Sequence, residues 1–339
     1  MAGGDRGRGA RRRRQAGEAE GPQGGRQEAG EQGEEQVEGQ GREVEIDGRR
    51  LSITNLDKVL YPEAGFTKGE VIDYYVRIAP ALLPHLRDRP LTVVRFPDGV
   101  EGRHFFEKNS PSHRPGWVRT APIGVGGRAG IVEFTVCDDL PTLVWLAQLA
   151  AIELHPSLAL ASDHERPTVL AFDLDPGEPA TVVECCAVAL RIRELFAELG
   201  LAAFPKTSGA KGMQVYVPLN GELTYATTKP YARAVARALE SAEPGLVTSR
   251  MTRSLRPGKV FVDWSQNTRT KTTVAAYSLR AGALPTASAP LRWDEVEAAA
   301  SASSPDELRF GAGEVLERFG RDGDLFAPVL ELEQELPSL

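Results

Sequence analysis

The chain has 339 residues, with 40 basic and 47 acidic side chains, a net charge of −7, 26% charged and 41% apolar residues. That suffices for one large domain or two small ones, with a core that needs no staples. It gives bulk attraction to nucleic acid no support, so any such site must be local. The three cysteines, Cys137, Cys185 and Cys186, form no CxxC and no zinc spacing. This argues against a disulfide framework or structural zinc and fits a reducing compartment. No apolar run reaches the roughly 18–20 residues of a membrane span, and the Arg-rich N-terminus lacks the apolar stretch of a secretory signal.

Residues 1–43 are Gly, Arg, Glu and Gln, with Val37 the lone large apolar side chain after Met1. Such a segment cannot bury enough surface to offset its ordering entropy and is expected to be disordered. It is charge-segregated, with a basic block at Arg11–Arg14 and a mostly acidic stretch from Glu28 to Glu43. The basic block can hold phosphate in a salt-dependent way, or the tail serves solubility alone.

The body, 44–335, opens on VEIDGRRLSITN, whose alternation around a DG turn predicts a hairpin. After Thr67, apolar residues at Val71, Ile72, Tyr75, Ile78, Ala79 and Leu82 recur at helical spacing, and Thr67 with Glu70 makes a capping box. PLTVVRF reads as a strand. Residues 111–130 are rich in Gly and Pro and predict a long loop. DDLPTLVWLAQLAAIELH reads as one helix with Asp139 as N-cap and Pro141 in its first turn. TVLAFDLD is a buried strand, and TVVECCAVALRIRELFAELG a helix ending at Gly200. GMQVYVPL is a strand, KPYARAVARALESA a helix with Pro at its start, and KVFVDW and TVAAYSL are strands. The last fifty residues hold polar linker and short helices. Strands and helices mix without regular βαβ alternation, which predicts an α+β fold.

Asp173 and Asp175 end the apolar run Thr168–Phe172. On a strand, i and i+2 share a face roughly 6.5–7 Å apart. Asp263 sits in a second apolar strand, where a carboxylate is costly unless paired with a cation or metal. Singly, DLDP is equally a strand-end turn and Asp263 a salt-bridged side chain. Together the three match the carboxylates that two divalent ions about 3.5–4 Å apart require in nucleotidyl transfer. Between those strands, TSGAKGMQVYVPL offers Gly209 and Gly212, whose backbone N–H groups can turn toward an anion, with the Lys211 charge and the Ser208 hydroxyl. The P-loop spacing is absent. Phe105 and Phe106 are adjacent, so a simple strand buries only one. The other can stack on a base, typically worth ~1–3 kcal/mol, unless both are ordinary core contacts. Lys58 and Lys68 flank the turn YPEAGF and either pinch one phosphate or lie on a solvated face.

In order, ITNLDKVLYPEAGFTKGEVIDYY, FFEKN, IELHP, FDLDPGE, TSGAKGMQVYVPL, VFVDWSQN, KTTVAAYSLR and RDGDLFAPVLE resemble the polymerase domain of bacterial ligase D, in the archaeo-eukaryotic primase superfamily. The resemblance covers about residues 44–335 and implies a primase-polymerase fold, a mixed or antiparallel catalytic sheet flanked by helices. It implies Asp173, Asp175 and Asp263 as ligands of two Mn²⁺ or Mg²⁺ ions, and His155, Ser208, Lys211, Gln214 and Arg280 at the nucleotide. It implies Asn55, Lys58 and Lys68 at the 5′-phosphate of downstream DNA and Phe105 and Phe106 at the template. Relatives usually carry histidine where Gln214 stands, and glutamine donates a hydrogen bond but no charge. They often carry lysine where Val94 stands, while Arg95 remains. No KxDG adenylation motif occurs, and the length leaves no room for a ligase or nuclease domain, so a stand-alone member is expected.

The implied activity is DNA-dependent addition of nucleotides, ribonucleotides preferred, to a primer 3′-hydroxyl at gaps or ends during DNA repair. The implied partners are NTP or dNTP, gapped or broken DNA with a 5′-phosphate, a separate DNA ligase and the Ku protein. The expected location is the bacterial cytoplasm, at the nucleoid, with no membrane. A catalytically weak 5′-phosphate gap- or end-binding scaffold and a primer-independent primase are the alternatives.

Overall fold

Two five-stranded sheets organise the chain. The computed structural model describes residues 41–126, 130–301, 304 and 308–338. The tail expected to be disordered lies outside these up to residue 40. The first strand, β1 (Arg42–Ile46), takes in Arg42 and Glu43, which the composition had assigned to the tail. It pairs with β2 (Arg49–Ile53) as the expected hairpin, and the DG turn supplies the left-handed backbone at Asp47 and Gly48. A small ladder of β3 (Val59–Tyr61) and β4 (Phe66–Thr67) leads into α1 (Lys68–Leu86), whose Thr67–Glu70 capping box is complete.

The first sheet is antiparallel. Its centre is β5 (Pro90–Arg95), which pairs with β6 (Phe105–Glu107), β8 (Ile131–Val136) and β9 (Ala151–Pro156), while β7 (Thr120–Gly124) pairs with β8. Two expectations fail here. Part of the 111–130 loop is strand β7, because Ala121 and Ile123 alternate inward against Phe134 and Val136 in a small apolar cluster that the Gly and Pro content conceals; residues 127–129 of that stretch lie outside the described ones. The predicted 138–155 helix is only α2 (Leu140–Gln148), capped by Asp139. The chain turns at Ala150 with φ 55° and continues as β9, because β5 needs a partner and Ile152 and Leu154 alternate inward.

The second sheet has the order β11 (Phe204–Thr207), β12 (Met213–Pro218), β10 (Val169–Pro176), β14 (Val260–Asp263), β13 (Val247–Thr248). All its pairs are antiparallel except β13 with β14, so the mixed sheet is as expected. Leu170, Phe172 and Leu174 of β10, Met213, Val215 and Val217 of β12, and Val260 and Val262 of β14 share one buried cluster with α3 (Val182–Glu198), α4 (Tyr225–Ala242) and α5 (Trp293–Ala300). Helix α4 starts four residues before the predicted Lys229. The TVAAYSL segment is extended chain rather than strand. Its backbone reaches β9 at alternate residues (Thr273 N–H to Pro156, Ala275 N–H to Leu154) and then reverses at Tyr277, φ 68°. Two more helices, α6 (Ala312–Asp322) and α7 (Pro328–Glu331), close the chain. Among the described residues no helix is long and apolar enough to cross a membrane.

Candidate active site

Period-2 alternation leaves the opposite face of the second sheet for chemistry. Register sets Lys206 opposite Gln214, Gln214 opposite Asp173, and Asp173 opposite Asp263, one polar row across four strands. Directly paired residues project on the same face within about 4.5–5.5 Å at Cβ. Asp175 lies one pleat further along β10, opposite Phe261. The sheet thus brings together the three acids that the sequence singled out.

Their hydrogen bonds are specific. Gln214 Nε2 donates to Asp173 Oδ1 at 3.0 Å, and Gln266 Nε2 bridges Asp173 Oδ2 at 3.3 Å and Asp263 Oδ2 at 3.1 Å. Asp263 Oδ1 accepts from the Ser265 backbone N–H, and Lys271 Nζ lies 3.6 Å from Oδ2. Burial pushes the Asp173 carboxyl up, the Gln214 hydrogen bond opposes this, and the Asp263 charge adds to it. Asp175 is exposed at one edge, yet the surrounding protein, then the charges of Asp173 and Asp263, push it up to about 7. Among the described residues, no three His, Cys, Asp or Glu side chains converge into a ready-made metal cage. The donor set is nonetheless all carboxylate oxygen, which suits Mg²⁺ or Mn²⁺, and the mutual repulsion of the acids is what a cation would relieve. The residues fit such an ion once the two glutamine amides yield.

Lys206 was not singled out from the sequence. It is fully buried, donating to the Val274 carbonyl at 3.0 Å and Ser288 Oγ at 2.8 Å. Burial pushes it down to about 7, against the attraction of Asp173. A lysine in FPKT, just before the glycine loop, was the available signal.

Two glycines let the chain close around this face. A Cβ at Gly212 would lie 2.1 Å from the Leu174 carbonyl oxygen, and one at Gly177 2.1 Å from that of Arg256. In the 208–212 loop, Ser208 Oγ accepts from the N–H groups of Ala210 (3.2 Å) and Gly212 (3.1 Å). The Gly212 amide is therefore spent inside the loop, not presented to an anion as the sequence suggested. Lys211 is exposed and tethered to Glu178, at 2.9 Å.

Arg280 reaches the same loop, since a Cβ at Gly209 would meet its Cγ at 2.7 Å. Its Nε lies 3.3 Å from Glu153 Oε1, and His155 Nε2 lies 2.9 Å from Glu153 Oε2. Glu153, also missed, thus joins two predicted residues. Burial pushes its carboxyl up, but His155 and Arg280 outweigh this and hold it low. Its signal was a carboxylate two residues before His155 in an apolar strand. His155 stands on β9, not at the end of the helix expected over 138–155.

Phe105 and Phe106 are both exposed, at 41% and 59%, so neither is a core contact. Arg103 lies over the first ring at 5.1 Å and Lys108 by the second at 6.0 Å, and the Phe106 ring is 6.3 Å from that of His155. Lys58 and Lys68 also meet. Lys68 Nζ donates to the Thr54 carbonyl at 2.9 Å, beside Asn55, whose own carbonyl accepts from Lys58 N–H at 3.1 Å. Burial, then the neighbouring Lys58 charge, pushes Lys68 down to about 8. Lys58 Nζ contacts Asp98 at 3.2 Å.

A mixed sheet with an acidic face, helices behind it and an antiparallel first sheet that bears exposed aromatic side chains defines a nucleotidyltransferase of the primase-polymerase class. The family model of the LigD primase-polymerase domain matches residues 67–326, and the chain belongs to that family. It is 43% identical over 282 residues to the multifunctional non-homologous end joining protein LigD of Mycolicibacterium smegmatis, covering 83% of this chain and 36% of that protein. It is 32% identical over 290 residues to the bifunctional non-homologous end joining protein LigD of Bacillus subtilis, covering 85% and 45%. The chain thus spans less than half the length of these curated relatives. The solved polymerase domain from Mycobacterium tuberculosis ligase D in complex with DNA superposes with a TM-score of 0.76 at 42% identity, over 83% of this chain and 98% of that one.

Proposed function

We propose that the chain adds nucleotides, ribonucleotides preferred, to a primer 3′-hydroxyl at DNA gaps or ends, in non-homologous end joining or gap filling. The observation that carries this is the row Asp173–Asp263 with Asp175 beside it, at the polar end of a sheet face whose other end, Val169, Ala171 and Tyr216, is core. Those three carboxylates would hold two Mg²⁺ or Mn²⁺ ions. Bound there, such ions supply charge compensation for the triphosphate and a lowered pKa for the attacking hydroxyl. Lys211 swings from Glu178 onto the β- and γ-phosphates, and Arg280, positioned by Glu153, balances charge from the other side. Ser208 keeps the loop in shape and His155 sits between Glu153 and the template-side Phe106. The 3′-hydroxyl attacks the α-phosphate in line and pyrophosphate leaves. Phe105 and Phe106 meet the template, and Lys58, Lys68 and Asn55 hold the 5′-phosphate across the gap. Ku and a separate DNA ligase would be its partners in this role.

A second reading, a catalytically weak 5′-phosphate end- or gap-binding scaffold, draws on the amides of Gln214 and Gln266 that engage Asp173. Primer extension with Mn²⁺, comparing NTPs and dNTPs on gaps with and without a 5′-phosphate, separates the two. Extension favouring NTPs and the phosphorylated gap is expected; binding without extension would leave only the scaffold.

A further inference from the structure

The carboxylate face and the lysine pair leave one charged region unused. Along α4, the stretch Tyr225–Leu239 carries Lys229, Arg233 and Arg237 and no acid. Their i, i+4, i+8 spacing puts all three on one helix face, at intervals of about 6 Å along the axis. Among the described residues none of the three makes an ion pair, whereas other surface arginines such as Arg166, Arg191, Arg193 and Arg269 each pair with an acid. In a protein of charge −7, a row of unpaired cations marks a local site for an anion.

The two arginines of the row border an open cleft of about 620 Å³, lined by Arg233, Arg237, Arg250, Glu240, Ser249 and Trp264, among others. The Arg233 guanidinium lies 5.2 Å from the centroid of the Trp264 ring, and that ring is fixed by Nε1–H donating to the Ser249 carbonyl at 3.0 Å. The cation is therefore held in place before any ligand arrives, which lowers the ordering cost of binding. Arg250 stands on the same cleft, 3.5 Å from Glu240, whose other oxygen accepts from Ser249 Oγ at 2.6 Å. Trp264 directly follows Asp263, and Gln266 of the same short turn donates to Asp263 Oδ2 at 3.1 Å, so one segment lines the cleft and touches the carboxylate row.

We propose that this cleft carries the sugar–phosphate backbone of the nucleic acid whose end lies at the carboxylate face. Cations repeated along a helix suit a polyanion rather than a single anionic group. The Trp264 ring is covered by Arg233 and offers no free face for a base, so recognition is of phosphate and independent of sequence. The inference rests on the proposed nucleic-acid substrate, and it is tested by binding alone, so a failure of catalysis does not touch it.

The probe is a fluorescein-labelled oligothymidine without a 5′-phosphate, which takes the Lys58–Lys68 pocket out of the measurement. It is titrated by anisotropy with the full chain over a range of salt concentrations. Each phosphate contact on a single strand contributes a slope of about 0.7 in log affinity against log salt. R233Q/R237Q is expected to flatten that slope by about 1.4 and to weaken low-salt binding roughly tenfold. R233K/R237K should keep the slope, and R193Q, which breaks a pair with Glu297, should behave as wild type. An unchanged slope in R233Q/R237Q overturns the proposal, as does equal loss in the lysine variant, which would mean a structural role. Displacement of the oligothymidine by an oligoglutamate peptide of equal charge also overturns it, because the cleft would then serve an acidic protein.

Discussion

The two faces of the second sheet are made by the same strands and do opposite work. On one, Phe172 and Leu174 of β10, Val215 of β12 and Val262 of β14 are fully buried under the α3–α4 layer. On the other, the intervening residues Asp173, Gln214 and Asp263 are joined by amide hydrogen bonds from Gln214 and Gln266, and the charges of Asp173 and Asp263 act on Asp175. The first face stabilises the fold and tolerates little change in volume. The acidic end of the second opposes folding, since its acids repel each other and resist ionisation, while Val169, Ala171 and Tyr216 further along the same face pack into the other core. A single register therefore separates stability from chemistry, and a substitution on one face should leave the property of the other intact.

The largest effect is expected on the dry face. Phe172→Ala should lower the unfolding free energy by about 3–5 kcal/mol, read by urea denaturation, while the surviving folded fraction keeps its DNA affinity. Equal loss of affinity in the folded protein would show that the faces are not separable. A smaller effect, of opposite sign, belongs to the acidic face. The Asp175 carboxyl is raised to about 7 in the fold, against about 3.9 in an unfolded chain. Its contribution is therefore full below pH about 4 and is lost as pH rises through about 7. Metal-free protein should lose thermal stability across that window, Asp175→Asn should flatten the profile, and a divalent cation should do the same for wild type. The smallest effect concerns the lysines that flank the β3–β4 ladder. Lys58→Ala or Lys68→Ala should remove the preference for a 5′-phosphorylated gap over a hydroxyl-ended one, a difference of a few-fold. Titrations on the two duplexes that kept the full preference in either variant would move the pocket elsewhere.

The acidic face was legible because alternation and chemistry coincide in FDLDP and VFVDW, where carboxylates interrupt otherwise apolar strands. The capping box of α1 was legible from its local spacing, and the mixed sheet was implied by the family resemblance. What was not legible depends on partners distant in the chain. Ala151–Pro156 becomes a strand because β5 needs an edge, and Lys206 joins the row only through its register with Gln214. Ser208 reads as an anion ligand in isolation, yet its hydroxyl closes its own loop. Glu153 gains its meaning from Arg280, 127 residues away.

The most direct test of the division between the two faces is Asp175→Ala, followed by urea unfolding, DNA binding and primer extension on a gapped duplex with Mn²⁺. Extension should fall by several kcal/mol of transition-state stabilisation, at least roughly a hundredfold, with DNA affinity unchanged and metal-free stability at pH 7 unchanged or higher. Extension at the wild-type rate, or loss of the fold, would contradict it.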